Sequence, residues 1–226
     1  MDFYKGRTCK AKIERDDGYV DEEDLSKYFA EYESFPNAEK KALKHAKGRV
    51  LDIGVGAGRV ALYLQSFGHE VVGIDVSDAV LEVSELRGVR KLVRMSACDL
   101  QFPKNSFDTA IAFCNNFGLC GSMEGAQGML ERLHSIIRKD GIFLASSVQP
   151  TRTRQKAHLR YHKINLDRGR PPGQVTLRQL YGGRKGEWWD LLMVTLAEMR
   201  QLCEKTGWRI EKTYRGDMDV HVLRKV

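Results

Sequence analysis

One decapeptide constrains this chain more than any other feature: Val50-Leu51-Asp52-Ile53-Gly54-Val55-Gly56-Ala57-Gly58-Arg59. A short apolar run enters three alternating glycines, and Val60, Leu62, Leu64 and Phe67 then recur with the spacing of a helix face. Strand, tight turn and helix in that order form half of a βαβ unit. Such a unit demands a second, parallel strand reached by a right-handed crossover. Glycines at the turn accept left-handed backbone and let a ligand approach the main chain closely. The free amides at the start of the helix favour an anionic or electron-rich group.

The alternation continues downstream. Glu70 to Asp75 reads as a second strand, with Ser77 or Asp78 capping a helix that runs to about Leu86. Lys91 to Met95, Phe107 to Phe113 and Ile142 to Val148 read as further strands, and Gly125 to Arg138 as a helix. Strands and helices in this rhythm predict an α/β fold around a parallel sheet. Residues 1–48 read as a helical lead-in, with an acidic start at Asp21 to Asp24 and Leu25, Tyr28, Phe29 and Tyr32 at helical spacing. Pro36 breaks that helix, and a second short one spans Ala38 to Ala46. Residues 49–150 form the expected core and 151–194 an insertion. Within the insertion, Gln174 to Tyr181 and Glu187 to Val194 are set to pair across Gly182-Gly183. Residues 195–226 supply a closing helix, capped by Thr195 and stopped by Gly207, and two strands.

Two ligand classes use a turn like Gly54 to Gly58, namely dinucleotides and S-adenosylmethionine. The dinucleotide fingerprint wants a small residue where this chain has Arg59, and Asp52 stands two residues before the first glycine. Both details point away from NAD. Asp75, ending the second strand, stands where a carboxylate accepts from ribose hydroxyls. Asp99, after the third strand, can accept from an adenine amino group. A glycine turn followed by these two acids resembles the class I S-adenosylmethionine-dependent methyltransferase family, over about Arg49 to Val148 and again from Thr195 to Lys225.

The resemblance implies a doubly wound sheet of seven strands, six in one direction and one antiparallel. It implies that Gly54, Gly56 and Gly58 line the methionine and ribose, that Asp75 holds the ribose, and that Asp99 and Leu100 border the adenine. Asn115 and Asn116 fall where the family's fourth motif meets the methionine end and the substrate. Asp52 and Arg59, framing the turn, and Val76 and Ser77, following Asp75, complete the expected cofactor set. Each assignment competes with a plainer one: a simple βα connection, a helix cap at Asp75, a turn residue at Asp99, or Asx turns at Asn115-Asn116. Tyr28 and Tyr32 either cover the cofactor or pack at the sheet edge. Cys114 lacks the preceding proline of the cytosine C5 enzymes, and Cys114-Asn115-Asn116-Phe117 lacks the prolines of the amino-directed nucleic-acid enzymes. Both classes are therefore disfavoured.

Charge sharpens the partner question. The net charge is +7, and residues 151–190 hold ten Lys and Arg against three Asp and Glu, while the flanks cancel. This basic insertion is expected to wall the substrate pocket, with Tyr161, His162 and Trp188 meeting a small acidic or aromatic acceptor. An enzyme acting on RNA through the same basic surface is one alternative, and a non-catalytic sensor that binds the cofactor is another. His158 and His162, four apart, supply at most half a metal site, so no metal is expected. No apolar run has the roughly 18 residues of a membrane helix, and the first residues lack a signal core. Five cysteines without a CxxC pair argue against a disulfide framework and for a cytoplasmic setting.

Overall fold

The structure, a computed structural model, describes residues 1–7 and 10–226. Cys9 lies outside the described residues. In chain order the elements are β1 (Ala11–Arg15), β2 (Val20–Glu23), α1 (Asn37–Leu43), β3 (Arg49–Ile53), α2 (Arg59–Ser66), β4 (Glu70–Asp75) and α3 (Asp78–Leu86). β5 (Leu92–Arg94), β6 (Phe107–Ala112), α4 (Met123–Ile136), β7 (Ile137–Val148), α5 (Lys156–Asp167) and β8 (Gln174–Tyr181) follow. The chain closes with β9 (Arg184–Lys185), β10 (Trp189–Leu192), α6 (Leu196–Thr206), β11 (Trp208–Tyr214) and β12 (Met218–Lys225).

Seven strands form the main sheet in the order β11-β12-β7-β6-β3-β4-β5. β5, β4, β3, β6 and β7 are parallel, and β12 runs antiparallel between β7 and β11. The predicted six-plus-one arrangement is what forms. Helices cover both faces. Met129, Leu130 and Leu133 of α4 and Leu202 of α6 pack with Ile53, Phe143 and Trp208 on one side. Ala38 and Ala42 of α1 and Val60, Ala61 and Leu64 of α2 pack with Val50, Ile111 and Val222 on the other. Each fully buried Leu, Ile or Phe here contributes about 1.5–3 kcal/mol. The start of α6 is closed by a capping box, in which Thr195 and Glu198 satisfy each other's backbone amides; loss of such a cap costs about 1 kcal/mol.

The lead-in departs from expectation. Its first half is not helical: β1 and β2 form a hairpin, and Leu25–Tyr28 and Tyr32–Ser34 are single 3-10 turns. The helical spacing of Leu25, Tyr28, Phe29 and Tyr32 is real, but too few residues separate the hairpin from Pro36 for a stable α-helix to grow. The hairpin joins the insertion. β1 pairs with β8 from Ala11↔Tyr181 to Arg15↔Leu177, giving a second sheet ordered β10-β8-β1-β2, with β9 on β8. The β8–β10 hairpin forms as its sequence predicts, with Leu177 opposite Trp189.

Together with α5, this sheet makes a cap over the main domain. Inside it, the Arg15 guanidinium lies 4.2 Å from the Tyr161 ring centre and 4.8 Å from that of Tyr19. The same group bonds Asp17 at 2.8 and 2.9 Å. A second departure concerns sulfur: Cys98 and Cys120 are joined as a disulfide across 22 residues. Sequence spacing hides this pair because the two cysteines meet only when the loops after β5 and β6 are brought side by side.

Candidate functional site

At the carboxyl ends of the parallel strands, the chain from Gly54 to Gly58 makes the turn foreseen from its glycines. Gly54 has φ +68° and Gly58 has φ +81°. A Cβ on Gly54 would fall 2.4 Å from Asn116 Nδ2, and one on Gly58 would fall 2.5 Å from Val89 Cγ2. Conformation and crowding therefore both demand glycine there. At Gly56 the nearest atoms to such a Cβ would be 3.9 Å away, one of them Tyr28 Cδ1. The middle of the turn thus faces open space with a tyrosine at its border. The loop is braced from beneath: Asn116 Nδ2 donates to the carbonyls of Ile53 and Gly54, both at 2.9 Å, and Ser84 Oγ donates to Gly56 O at 2.7 Å.

Asp75 arrives across the turn at the end of β4. Its Oδ1 accepts from Ser77 N at 3.1 Å and its Oδ2 from Gly56 N at 3.4 Å. Burial pushes its carboxyl above the usual value, against the pull of the backbone amides of Ser77, Gly56 and Val76. Each oxygen retains capacity to accept from a ligand hydroxyl. Ser77 caps α3 by accepting from Val80 N, and Val76 is exposed at the lip. Asp99 is exposed on the neighbouring loop, where Gln101 Nε2 donates to its carboxylate at 2.9 Å. Gly54, Gly56, Gly58, Asp75 and Asn116 thus meet in one place, with Val76 following Asp75 and exposed.

Four expected contacts are corrected at the level of the side chain. Arg59 is buried and bidentate to Glu39 at 2.8 and 3.0 Å, and also donates to Cys114 Sγ at 3.1 Å. It anchors the turn from behind. Asn115 is buried, with Nδ2 donating to Leu192 O at 3.1 Å and Oδ1 accepting from Val148 N at 2.9 Å. It ties the main sheet to the cap. The Leu100 side chain is 1% exposed and belongs to the core. Tyr161 is likewise 1% exposed, its hydroxyl donating to Asp16 Oδ1 at 2.6 Å inside the cap. A polar or apolar atom so engaged offers a substrate nothing. His162 is half-buried on α5, and Trp188 is exposed with the Arg178 guanidinium 4.3 Å above its ring.

The loop after β6 carries unusual backbone. Cys114 and Asn115 have φ +54° and +63°, two consecutive non-glycine residues in the left-handed region. Such conformations persist only where the surroundings impose them. Here Ser146 Oγ accepts from Asn115 N at 3.0 Å, beside the side-chain bonds already given. Asp52, at the end of β3, is 5% exposed, and burial pushes its carboxyl up to about 7 against the pull of the Arg59 charge and the Ala61 amide. Its Oδ2 has no partner among the described residues. The sequence did not reveal Glu39 or Glu23. Glu23 accepts from the Tyr28 hydroxyl at 2.8 Å. Both acids lie on the lead-in, with nothing in their local pattern to link them to a turn so far along the chain. Tyr32 stacks on Tyr63, ring centres 4.1 Å apart, and is a packing residue.

Comparison with known proteins agrees with this geometry. The family model described as "Methyltransferase domain" matches residues 51–145. A crystal structure of an S-adenosylmethionine-dependent methyltransferase from Bacteroides fragilis, in complex with S-adenosyl-L-homocysteine, is 25% identical. It superposes with a TM-score of 0.83 over 100% of this chain and 92% of its own. The uncharacterized methyltransferase YcgJ of Bacillus subtilis is 32% identical over 124 residues, 52% of this chain and 47% of its own length. The ubiquinone/menaquinone biosynthesis C-methyltransferase UbiE of Citrifermentans bemidjiense is 29% identical over 114 residues, 46% of this chain and 47% of its own. The chain spans about half the length of the curated relatives it matches. Glycine turn, acid-ended second strand and strand order converge with the match of residues 51–145 to the methyltransferase-domain model, and the chain is similar in sequence core and fold to the class I S-adenosylmethionine-dependent methyltransferases.

Proposed function

We propose that this protein transfers a methyl group from S-adenosylmethionine to a small-molecule acceptor. The observation that carries the reading is the Asp75 carboxylate standing across an open glycine turn, each oxygen holding one backbone amide and able to accept more. That donor and acceptor set fits the cofactor. Asp75 would take the ribose hydroxyls, Gly54 and Gly56 would let the methionine portion lie against the main chain, and Asp99 would meet the adenine amino group. Asn116 keeps the turn in shape rather than touching the reacting atoms. When bound, the sulfonium supplies an already electrophilic methyl group. What remains for the protein is to align acceptor, carbon and sulfur and to keep water out.

The acceptor would enter between the glycine turn and the cap. Tyr19, His158 and His162 belong to the cap, whose residues 151–190 carry ten Lys and Arg against three Asp and Glu, a basic and aromatic segment suited to an acidic or aromatic molecule. UbiE relatives, named for quinone biosynthesis, lean the same way. Calorimetry with S-adenosylhomocysteine tests the cofactor half. Binding is expected, and Asp75→Ala should weaken it at least about tenfold, the loss of one or more charge-assisted bonds of about 1.5–3 kcal/mol. Absence of binding by the wild type, or unchanged affinity in the variant, would refute it. Transfer of label from methyl-labelled cofactor into the small-molecule fraction of a cell extract tests the acceptor half. Label found only in RNA would overturn it.

A further inference from the structure

We propose that Cys98 and Cys120 form a reversible thiol–disulfide site that sets the affinity of the cofactor cleft, with a low-molecular-weight disulfide as co-reactant. The inference rests on the cofactor reading above and deepens it. The two cysteines belong to the two loops that border the cleft. Cys98 immediately precedes Asp99, at the adenine side. Cys120 follows Leu119, whose Cδ1 lies 3.3 Å from where a Cβ on Gly54 would sit. Asn116, four residues before Cys120, holds the Ile53 and Gly54 carbonyls. A covalent bond here therefore links the loop carrying the adenine acid to the segment that shapes the glycine turn.

The two loops differ in how firmly they are otherwise held. Cys120 is half-buried. Helix α4 packs tightly against it, since a Cβ on Gly125 would fall 2.4 Å from Cys120 O and 2.9 Å from Cys120 Cβ. Gly118, two residues before it, is pressed against the backbone of β10. Residues 96–99 form no strand or helix, and their bonds are mostly local. Cys98 N donates to Ser96 Oγ at 3.2 Å and Asp99 N to Ser96 O at 3.2 Å. Ala97 and Leu100 seat the ends of this stretch in the core and Arg132 donates to Leu100 O, while the disulfide restrains the exposed Cys98-Asp99 tip between them. Removing it widens the range of positions open to the Asp99 carboxylate, and binding must then order the loop.

Access fits exchange. Cys98 is exposed, whereas Cys114 and Cys203, the free thiols among the described residues, are half-buried and buried. In the oxidising direction the Cys98 thiolate attacks one sulfur of a disulfide RS–SR, forming a mixed disulfide and releasing RS⁻. The Cys120 thiolate then attacks the Cys98 sulfur, closing the Cys98–Cys120 bond and releasing the second RS⁻. Two protein thiols are oxidised, one RS–SR is reduced to two RSH, and the two thiol protons end on the released thiolates.

Calorimetry with S-adenosylhomocysteine on full-length protein, equilibrated in oxidised or in reduced glutathione, tests the proposal. Alkylation and mass spectrometry would assign the state of each cysteine. The oxidised form should bind at least fivefold more tightly, and the bond should open in millimolar reduced glutathione without unfolding. Cys98→Ser and Cys120→Ser should both bind like the reduced wild type and ignore the oxidant. Equal and tight binding in both states would overturn the switch and leave the cofactor reading standing. So would a bond that never opens in the native protein, or serine variants that bind like the oxidised form. No binding in either state would overturn the cofactor reading and the switch with it.

Discussion

Glu39→Ala is the substitution whose consequence the structure fixes most sharply. The Arg59 guanidinium lies 4.5 Å above the Phe35 ring, bonds both oxygens of Glu39 and reaches Cys114 Sγ. The two side chains are 8% and 4% exposed. Removing the carboxylate leaves a cation that burial has stripped of water, with the Cys114 thiol and the largely protonated Asp52 carboxyl as its remaining polar neighbours. Breaking one side of such a pair costs about 3–5 kcal/mol, because the surviving charge is unpaired. In a chain of this size each kcal/mol moves the unfolding midpoint by about 2–4 °C. The expected loss is therefore about 6–20 °C, read by circular dichroism during heating and by the urea midpoint at fixed slope. A second variant, Glu39→Met with Arg59→Met, removes both charges at similar volume and should recover much of the loss. A single variant within about 1 kcal/mol of wild type, or a double variant no more stable than the single, would refute the account of Arg59 as a paired, buried anchor.

Three other expectations follow from particular contacts. Asp52, with its carboxyl pushed up to about 7 by burial, keeps its proton in the folded state where the unfolded chain has lost it. Its contribution to stability is intact below about pH 4 and falls away as pH rises to about 7, a gap of about three pH units corresponding to on the order of 4 kcal/mol. Asp52→Asn should flatten that part of the urea-stability profile between pH 4 and 8, and an unchanged slope would count against it. Gly118→Ala would set a Cβ 1.8 Å from Leu192 O and 2.7 Å from Leu192 C, so β10 must retreat. A loss of about 1–3 kcal/mol and faster proteolysis within residues 151–194 are expected, and wild-type resistance would contradict the close seating of the cap. Asn115→Ala loses the bonds to Leu192 O and Val148 N, and should loosen the cap in the same proteolysis assay while leaving the far-ultraviolet spectrum of the main domain intact.

The sequence made the central sheet legible because its signals are local. Each strand is a short apolar run beside a turn residue, and Ser77, Thr195 and Gly207 terminate helices where side-chain or glycine chemistry predicts. The glycine turn and the position of Asp75 across it were legible for the same reason: both follow from residue type at a fixed distance along the chain. The failures share a cause as well. Glu39 with Arg59, Cys98 with Cys120, and β1 with β8 are partnerships between distant segments, set by tertiary approach rather than by pattern. Tyr161 and Leu100 were read as ligand contacts because they stand near functional positions in sequence, yet their side chains point into packed interiors. Neighbourhood along the chain does not say which way a side chain faces.

The pairing of β1 with β8 also dictates an order of assembly. The strands that build the glycine turn, β3 and β4, are consecutive and joined only by the α2 crossover, so their contacts form within a short stretch of chain. Ala11 must wait for Tyr181, and β1 has no sheet to join until that residue has been made. On a ribosome adding about 5–20 residues per second, the amino-terminal hairpin spends roughly ten to thirty seconds without its partner strand. During that interval, Ile13 and its neighbours present an unpaired strand edge, the kind of edge that recruits other chains. Lys12, Glu14 and Arg15 on the same strand place charge along it, a protection against premature association whose Arg15 end is buried once the cap is built.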